Sequence, residues 1–439
     1  MATLPRCRNV THVSLEISEQ HRKALAELGQ FSLLDAIVGR RSRRFPVGGS
    51  IPDGPLAYES TEPSRSITEV ERALIISVLA GVTGWNFGIT RHPGYAPNVP
   101  NYPGSAGGRT FPSAAAFHTS QLFFTDDSGT YFFGSRDAAP QRELTAEPAD
   151  IESWISSTAD SYRQLSSDRL VLPREEPYME GHNTWIANWP GSLLAFPVAD
   201  LSEHLVANLN FFAANGYVIY DDVHDNPVPG IEKFSSLTHF DDPVPLSFVE
   251  QYTLAEASAE LATATNTGVL LLQGLGLGGW TFDGLDRLSV LGASGDPKAP
   301  GLGFSYDTDD RWAFPNATGL EGVFETLVPP FVDSVADGVQ KYYQRKFGPG
   351  GPGHPDTPGP WSDTPKVRSE YLPAQNLQEL VTVQAEYIYK RFGKLPGTVP
   401  TVHVLMYLQA QNLDRGFYDH KFGPGAYLPS HTRHDEVWS

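Results

Sequence analysis

Three short segments carry residue types whose chemistry depends on being brought together. Ala36-Ile37-Val38-Gly39-Arg40-Arg41-Ser42-Arg43-Arg44-Phe45 closes an apolar helical pattern with four arginines and a serine. Guanidinium and hydroxyl groups in such a string can hold a phosphate, because they supply charge-assisted donors. Leu275-Gly276-Leu277-Gly278-Gly279-Trp280-Thr281-Phe282-Asp283-Gly284-Leu285-Asp286 is a glycine-rich turn. Bare backbone N–H groups in it can approach a planar ligand closely. Between the two lies Arg109-Thr110-Phe111-Pro112-Ser113-Ala114-Ala115-Ala116-Phe117, where Pro-Ser is followed by small side chains.

Each segment also has a plainer reading. A charge run is usually a solvated face, yet this one concentrates positive charge in a chain of net charge −19. Gly274, Gly276 and Gly279 form a formal G-x-G-x-x-G, which binds dinucleotides only between a strand and a helix. Thr253 to Leu272 reads as a helix instead, so the glycines mark a helix C-terminus followed by a turn. The plain alternative is a linking turn packed by Trp280 and Phe282. Pro-Ser-Ala is likewise a common helix start.

In this order and spacing, the three segments resemble the FMN-dependent nitroreductase family, and the Pro112-Ser113 segment resembles its peptide azoline dehydrogenase branch. The resemblance implies an α+β fold, a nitroreductase-like three-layer sandwich whose central, mostly antiparallel sheet is flanked by helices. It implies that Arg40, Arg41 and Ser42 face the FMN phosphate or ribityl chain, and that Arg44 faces the flavin ring. A cation there would stabilise the negative charge of reduced flavin. Phe282-Asp283-Gly284-Leu285-Asp286 matches the string beside the isoalloxazine, so the N–H groups around Asp283 and Gly284 would point at flavin N5, with Gly276 in the turn leading there. Asn86 stands where many members place a flavin-contacting asparagine, and Ser113 is a further donor. NAD(P)H is the implied electron donor. Partners would be a small-molecule or peptide substrate and a second copy of the chain in a homodimer, or an internal pseudo-dimer, since the family builds its flavin sites from both subunits. The late Lys-x-Arg pair of the family has no counterpart after Gly301-Leu302-Gly303-Phe304, where Arg311 stands. A rival reading, a flavin-free or flavin-weakened member serving as an interaction module, rests on that departure.

Around these segments, residues 19–38 have helical spacing split near Gly29, and Ser66 or Thr68 can cap a helix through Ala80. Phe117 to Phe133 predicts a hairpin about Asp126-Asp127-Ser128-Gly129. Leu193 to Val198 reads as a buried strand, Leu201 to Asn215 as a helix, and Val249 to Gln273 as the central helix. Residues 1–347 are expected to form the flavin domain, with a long segment (about 135–245) of uncertain origin. Gly/Pro-rich 348–360 reads as a linker. Residues 361–439 are expected to be a C-terminal helical extension, with helices over Leu377–Phe392 and Val402–Asn412, wrapping self or partner.

The acidic balance argues against nucleic acid and anionic membranes as partners. No apolar run reaches 18 residues, no secretory signal is evident, and Cys7 stands alone, so a cytoplasmic protein is expected. His403 sits in an apolar run and reads as a core residue. His431, His434 and Asp435 make a thin metal set with no metal expected, and no Gly-x-Ser-x-Gly elbow is present. Asp221-Asp222 and Asp241-Asp242 are expected in exposed loops. The catalytic residues themselves are not legible.

Overall fold

The computed structural model describes residues 15–89, 104–136, 138, 150–238, 240–370 and 372–438. Its helices, in chain order, are α1 (Glu19–Leu28), α2 (Leu33–Gly39), α3 (Glu69–Ala80), α4 (Ile151–Asp160), α5 (Leu201–Ala214), α6 (Leu246–Leu275), α7 (Arg287–Leu291), α8 (Val335–Phe347), α9 (Thr364–Ser369), α10 (Gln375–Phe392), α11 (Arg415–Lys421) and α12 (Pro429–Trp438). The strands of the main sheet are β1 (Ser120–Asp126), β2 (Gly129–Phe133), β3 (Tyr162–Ser166), β4 (Leu193–Asp200), β5 (Gly278–Phe282), β6 (Val402–His403) and β7 (Tyr407–Gln411).

Local chemistry explains where these elements begin and turn. Thr68 starts α3 through a reciprocal box: its hydroxyl accepts from Glu71 N at 3.2 Å, and Glu71 Oε2 accepts from Thr68 N at 2.7 Å. Asp126 pairs with Gly129, so β1 and β2 form a hairpin with Asp127-Ser128 as its two-residue loop. Asp200 caps α5, accepting from Ser202 N and Glu203 N. The thirty-residue α6 ends at Gly276, whose φ of 78° is the left-handed conformation that glycine adopts without penalty.

The sheet order is β5-β7-β4-β1-β2-β3, with β6 also paired to β4, and every pairing is antiparallel. Alternating side chains split its two faces. Leu122, Phe124, Leu193, Ala195, Leu408 and Ala410 pack under α1, α3, α4, the C-terminal half of α6 and α12. Phe123, Phe196, Phe282 and Tyr407 point the other way, into a core closed by the 170–187 loop, α7 and the small sheet carrying Ala317 and Phe324. Both faces of β4 are therefore buried, which accounts for its nearly unbroken apolar run. The fold is α+β, with helices against one face of the sheet and mainly loops against the other. A separate apolar core joins α5, α8 and α10.

The region after residue 360 departs from the expected helical extension. Helix α10 forms as the spacing predicts, but Val402–Asn412 is extended, and β7 lies inside the sheet between β5 and β4. Pairing on both sides holds it extended, and its two glutamines are buried in the ladder, where Gln409 Oε1 accepts from Asn188 N at 2.6 Å. The Gly/Pro stretch packs rather than spans, since Gly351, Pro352 and Gly353 are buried and Gly353 N donates to Lys346 O. Asp221 is also buried, accepting from Tyr387 OH at 2.8 Å and paired with His224 Nδ1 at 2.9 Å. These partners, and the neighbouring backbone N–H groups, hold its carboxyl below the ordinary value despite burial.

Candidate functional site

One backbone contact joins two of the three sequence segments. Arg43 N donates to Gly279 O at 3.2 Å, and Gly279 N donates to Arg43 O at 2.8 Å. The arginine string therefore lies along the outer edge of β5. In that string Arg40, Arg41 and Ser42 are exposed, Arg43 is buried and Arg44 is half-buried.

Arg43 points inward and is structural. Its guanidinium donates to Gln273 Oε1 at 2.6 Å, Ala426 O at 2.9 Å and Gly39 O at 3.3 Å. Arg40, Arg41 and Ser42 are exposed, and Ser42 Oγ has no hydrogen-bond partner among the described residues. Arg41 folds back onto Val38 O and Arg40 O. Three donor groups thus face solvent side by side.

Arg44 turns over β5 toward a small aromatic and amide cluster. Its guanidinium carbon lies 4.9 Å from the Trp280 ring centroid and 5.5 Å from that of Trp185, both cation–π distances. Arg44 Nη2 donates to Asn183 Oδ1 at 3.0 Å. Two buried donors there, Arg44 Nε and Asn183 Nδ2, are left without an acceptor. Burial pushes the Arg44 guanidinium below its ordinary pKa. Orphaned buried donors are uncommon in native structures and call for an explanation.

Gly284 lies directly under this cluster, since a Cβ there would stand 2.1 Å from Asn183 Nδ2. Phe282 stacks on Trp280 at 5.0 Å, and Asp283 is exposed. Gly276 faces elsewhere: a Cβ on it would meet Ser430 O at 2.3 Å, so its bareness makes room for the start of α12. Asp286 is spent on capping α7 through Ser289 N.

Pro112 and Ser113 sit beside the middle of α6, away from its C-terminal end. Ser113 Oγ donates to Glu260 Oε2 at 2.5 Å and accepts from His118 N at 3.1 Å. Along the helix, Glu260 and Gly276 are separated by roughly 24 Å of rise. Asn86 braces the hairpin of Val82–Trp85 and Gly107–Arg109, donating to Ser105 O at 2.7 Å and Gly107 O at 3.1 Å. Within one chain, then, Arg40–Arg44 meets the Gly279–Gly284 strip, while Pro112, Ser113 and Asn86 do not join them.

Sequence reasoning missed Asn183, Trp185 and Glu260. The first two lie in the segment of uncertain origin, in a loop fixed by Glu180 N donating to Gly284 O at 3.0 Å and by the Met179–Leu285 bridge. No spacing rule points from residue 183 to residue 44. Arg311, at the place of the family's late basic pair, is bound to Asp309 and Arg391 O. His403 is buried as expected, its Nε2 3.2 Å from Ser258 Oγ, and burial lowers its pKa to about 4.

No protein-family profile matches the chain, and no curated protein matches it. Among solved structures, a protein of Ralstonia eutropha JMP134 provisionally called a nitroreductase aligns with 58% of this chain and 72% of its own, at 10% identity and a TM-score of 0.27. No helix among the described residues is long and apolar enough to cross a membrane.

Proposed function

We propose that this chain is an FMN-dependent oxidoreductase of the nitroreductase type. The carrying observation is the Arg43–Gly279 pairing, which sets the arginine string against the Gly279–Gly284 strip. The residues present fit the group. Arg40, Arg41 and Ser42 offer exposed donors to a phosphate, and Arg44 Nε and Asn183 Nδ2 offer buried donors to the acceptor-rich edge of a flavin ring. FMN, when bound, supplies hydride transfer through its N5. The chain's part is to bind the phosphate and place a cation at the ring edge, with Trp185 and Trp280 beside that cation.

Pro112 and Ser113 reach the same cofactor only from a second chain. A two-fold partner running antiparallel along the C-terminal half of α6 would bring the Ser113 segment of one subunit to the Arg44 cluster of the other, which an isologous dimer does twice. Exposed apolar side chains are available for such contact, among them Phe248 and Tyr252 on α6, which stack at 5.9 Å. NAD(P)H as donor and a small molecule or peptide as substrate complete the proposal.

One observation favours the flavin-free reading: the Asn183 side chain already fills the space over Gly284. The visible spectrum of the purified protein, with and without added FMN, decides between them. A yellow, stoichiometric complex supports the oxidoreductase, and failure to bind FMN at any concentration supports the interaction module.

A further inference from the structure

Helices α1, α2 and α12 enclose a cavity of about 540 Å³ beside the C-terminal end of α6. Leu275 and Trp438, both buried, form its floor. Glu27, Asp35, Val38 and Arg433 also line it and are exposed, so they mark its mouth. Two bare glycines bring the walls together at its edges. A Cβ on Gly274 would stand 2.7 Å from Leu28 Cδ1, and one on Gly39 would stand 2.7 Å from Leu428 Cδ2. The space between is therefore a bounded pocket in an otherwise tight contact.

Protein interiors hold few voids larger than one water molecule. Water filling this one would find few partners, because polar groups in the wall are already engaged. Ser430 Oγ donates to Gln273 O at 2.6 Å, and His434 Nε2 lies 2.6 Å from Glu71 Oε1. A mainly apolar cavity of this size, with a few charged groups at its mouth, has the character of a small-molecule site.

Charge at the mouth selects the head group. Arg433 Nη2 pairs with Glu27 Oε2 at 2.9 Å, which joins α12 to α1 and cancels both charges. The Asp35 carboxylate has no partner among the described residues. Arg41, the next cation along the chain, folds back onto Val38 O at the other end of α2. One negative charge is thus left over, in a chain whose net charge of −19 draws cations and repels anions.

We propose that this cavity binds an amphipathic amine, with its apolar body against Leu28, Phe31 and Trp438 and its protonated nitrogen at Asp35. The proposal is independent of the flavin reading, since no cavity residue is among those offered to FMN.

Three ligands with one ten-carbon tail test it on the full-length protein: decylammonium, decanol and decanoate, titrated by calorimetry below their micelle concentrations. Decylammonium should bind one per chain and about fivefold tighter than decanol, with decanoate weakest. Asp35→Asn, at an exposed position, should bring decylammonium down to the level of decanol and leave decanol unchanged. Phe31→Ala should weaken all three by about tenfold. Val38→Ser is the second wall variant: it removes apolar surface at an exposed position and should weaken all three by about threefold without changing the melting temperature. No saturable binding of decylammonium overturns the site. Equal affinity for the three ligands, tighter binding of decanoate, or an Asp35→Asn variant that still prefers decylammonium overturns the assignment to amines.

Discussion

Arg43 and Gly279 exchange two backbone hydrogen bonds, and this single antiparallel bridge sets Arg43 and Arg44 on opposite sides of the strand. Because successive residues of an extended strand face opposite sides, Arg43 enters the core and Arg44 rises over β5. Arg43→Ala strands the Gln273 and Ala426 acceptors and should cost about 2–4 kcal/mol in denaturant unfolding. Arg40→Ala and Arg41→Ala, both exposed, should stay within about 0.5 kcal/mol of wild type while weakening FMN binding.

Arg44→Lys keeps the charge and loses the planar fork that reaches Asn183 and lies between two indoles. FMN affinity should drop by roughly tenfold with little change in melting temperature. Equal affinity in the lysine variant would show that charge alone matters at this position.

Gly276→Ala introduces a methyl group 2.3 Å from Ser430 O at a φ of 78°. The tail from α12 onward should loosen, at a cost of about 1 kcal/mol or more. Limited proteolysis of the native variant should release a C-terminal fragment that the wild type protects.

Three buried histidines set the acid limb of stability. Burial, helped by nearby cations, lowers His118 and His431 to about 3 and His403 to about 4, from 6.5. Between pH 6.5 and about 4 the unfolded chain binds protons that the folded chain refuses. Stability should therefore be complete above that window and fall through it by close to 1.4 kcal/mol per pH unit for each histidine. Urea unfolding across the window measures the slope, and His431→Gln should reduce it by one histidine's share.

The shared-site proposal has its own signature. Protein carrying Arg44→Ala and protein carrying Ser113→Ala would each bind FMN poorly. After subunit exchange, a mixed dimer holds one doubly altered site and one intact site, so about a quarter of all sites should regain FMN. No recovery in a mixture shown by mass to contain mixed dimers would overturn the shared site.

Where a short local rule governs, the sequence was readable. The Thr68 capping box, the Asp127-Ser128 hairpin loop and the left-handed Gly276 are each decided by a few neighbouring residues. Residues 402–412 read as helix because Val402, Leu405, Met406 and Leu408 satisfy helical spacing as well. The alternation Tyr407-Leu408-Gln409-Ala410-Gln411 was the competing signal, and tertiary pairing on both sides settled it. At the site, the arginine string was legible from its charge. The Asn183 amide, the Trp185 ring and the Glu260 carboxyl were not, because each acts across the fold on a residue far away in sequence.

Strand β5 has one neighbour in the sheet, and that neighbour is β7. A ribosome therefore delivers the glycine-rich strip long before the segment that can anchor it. Until Tyr407–Gln411 emerges, Gly278–Phe282 has an open edge, and the arginine string that bridges to Gly279 has no fixed place to dock. Completion of the site thus waits on the synthesis of Tyr407–Gln411, and the nascent chain must keep an apolar, unpaired strand soluble until then.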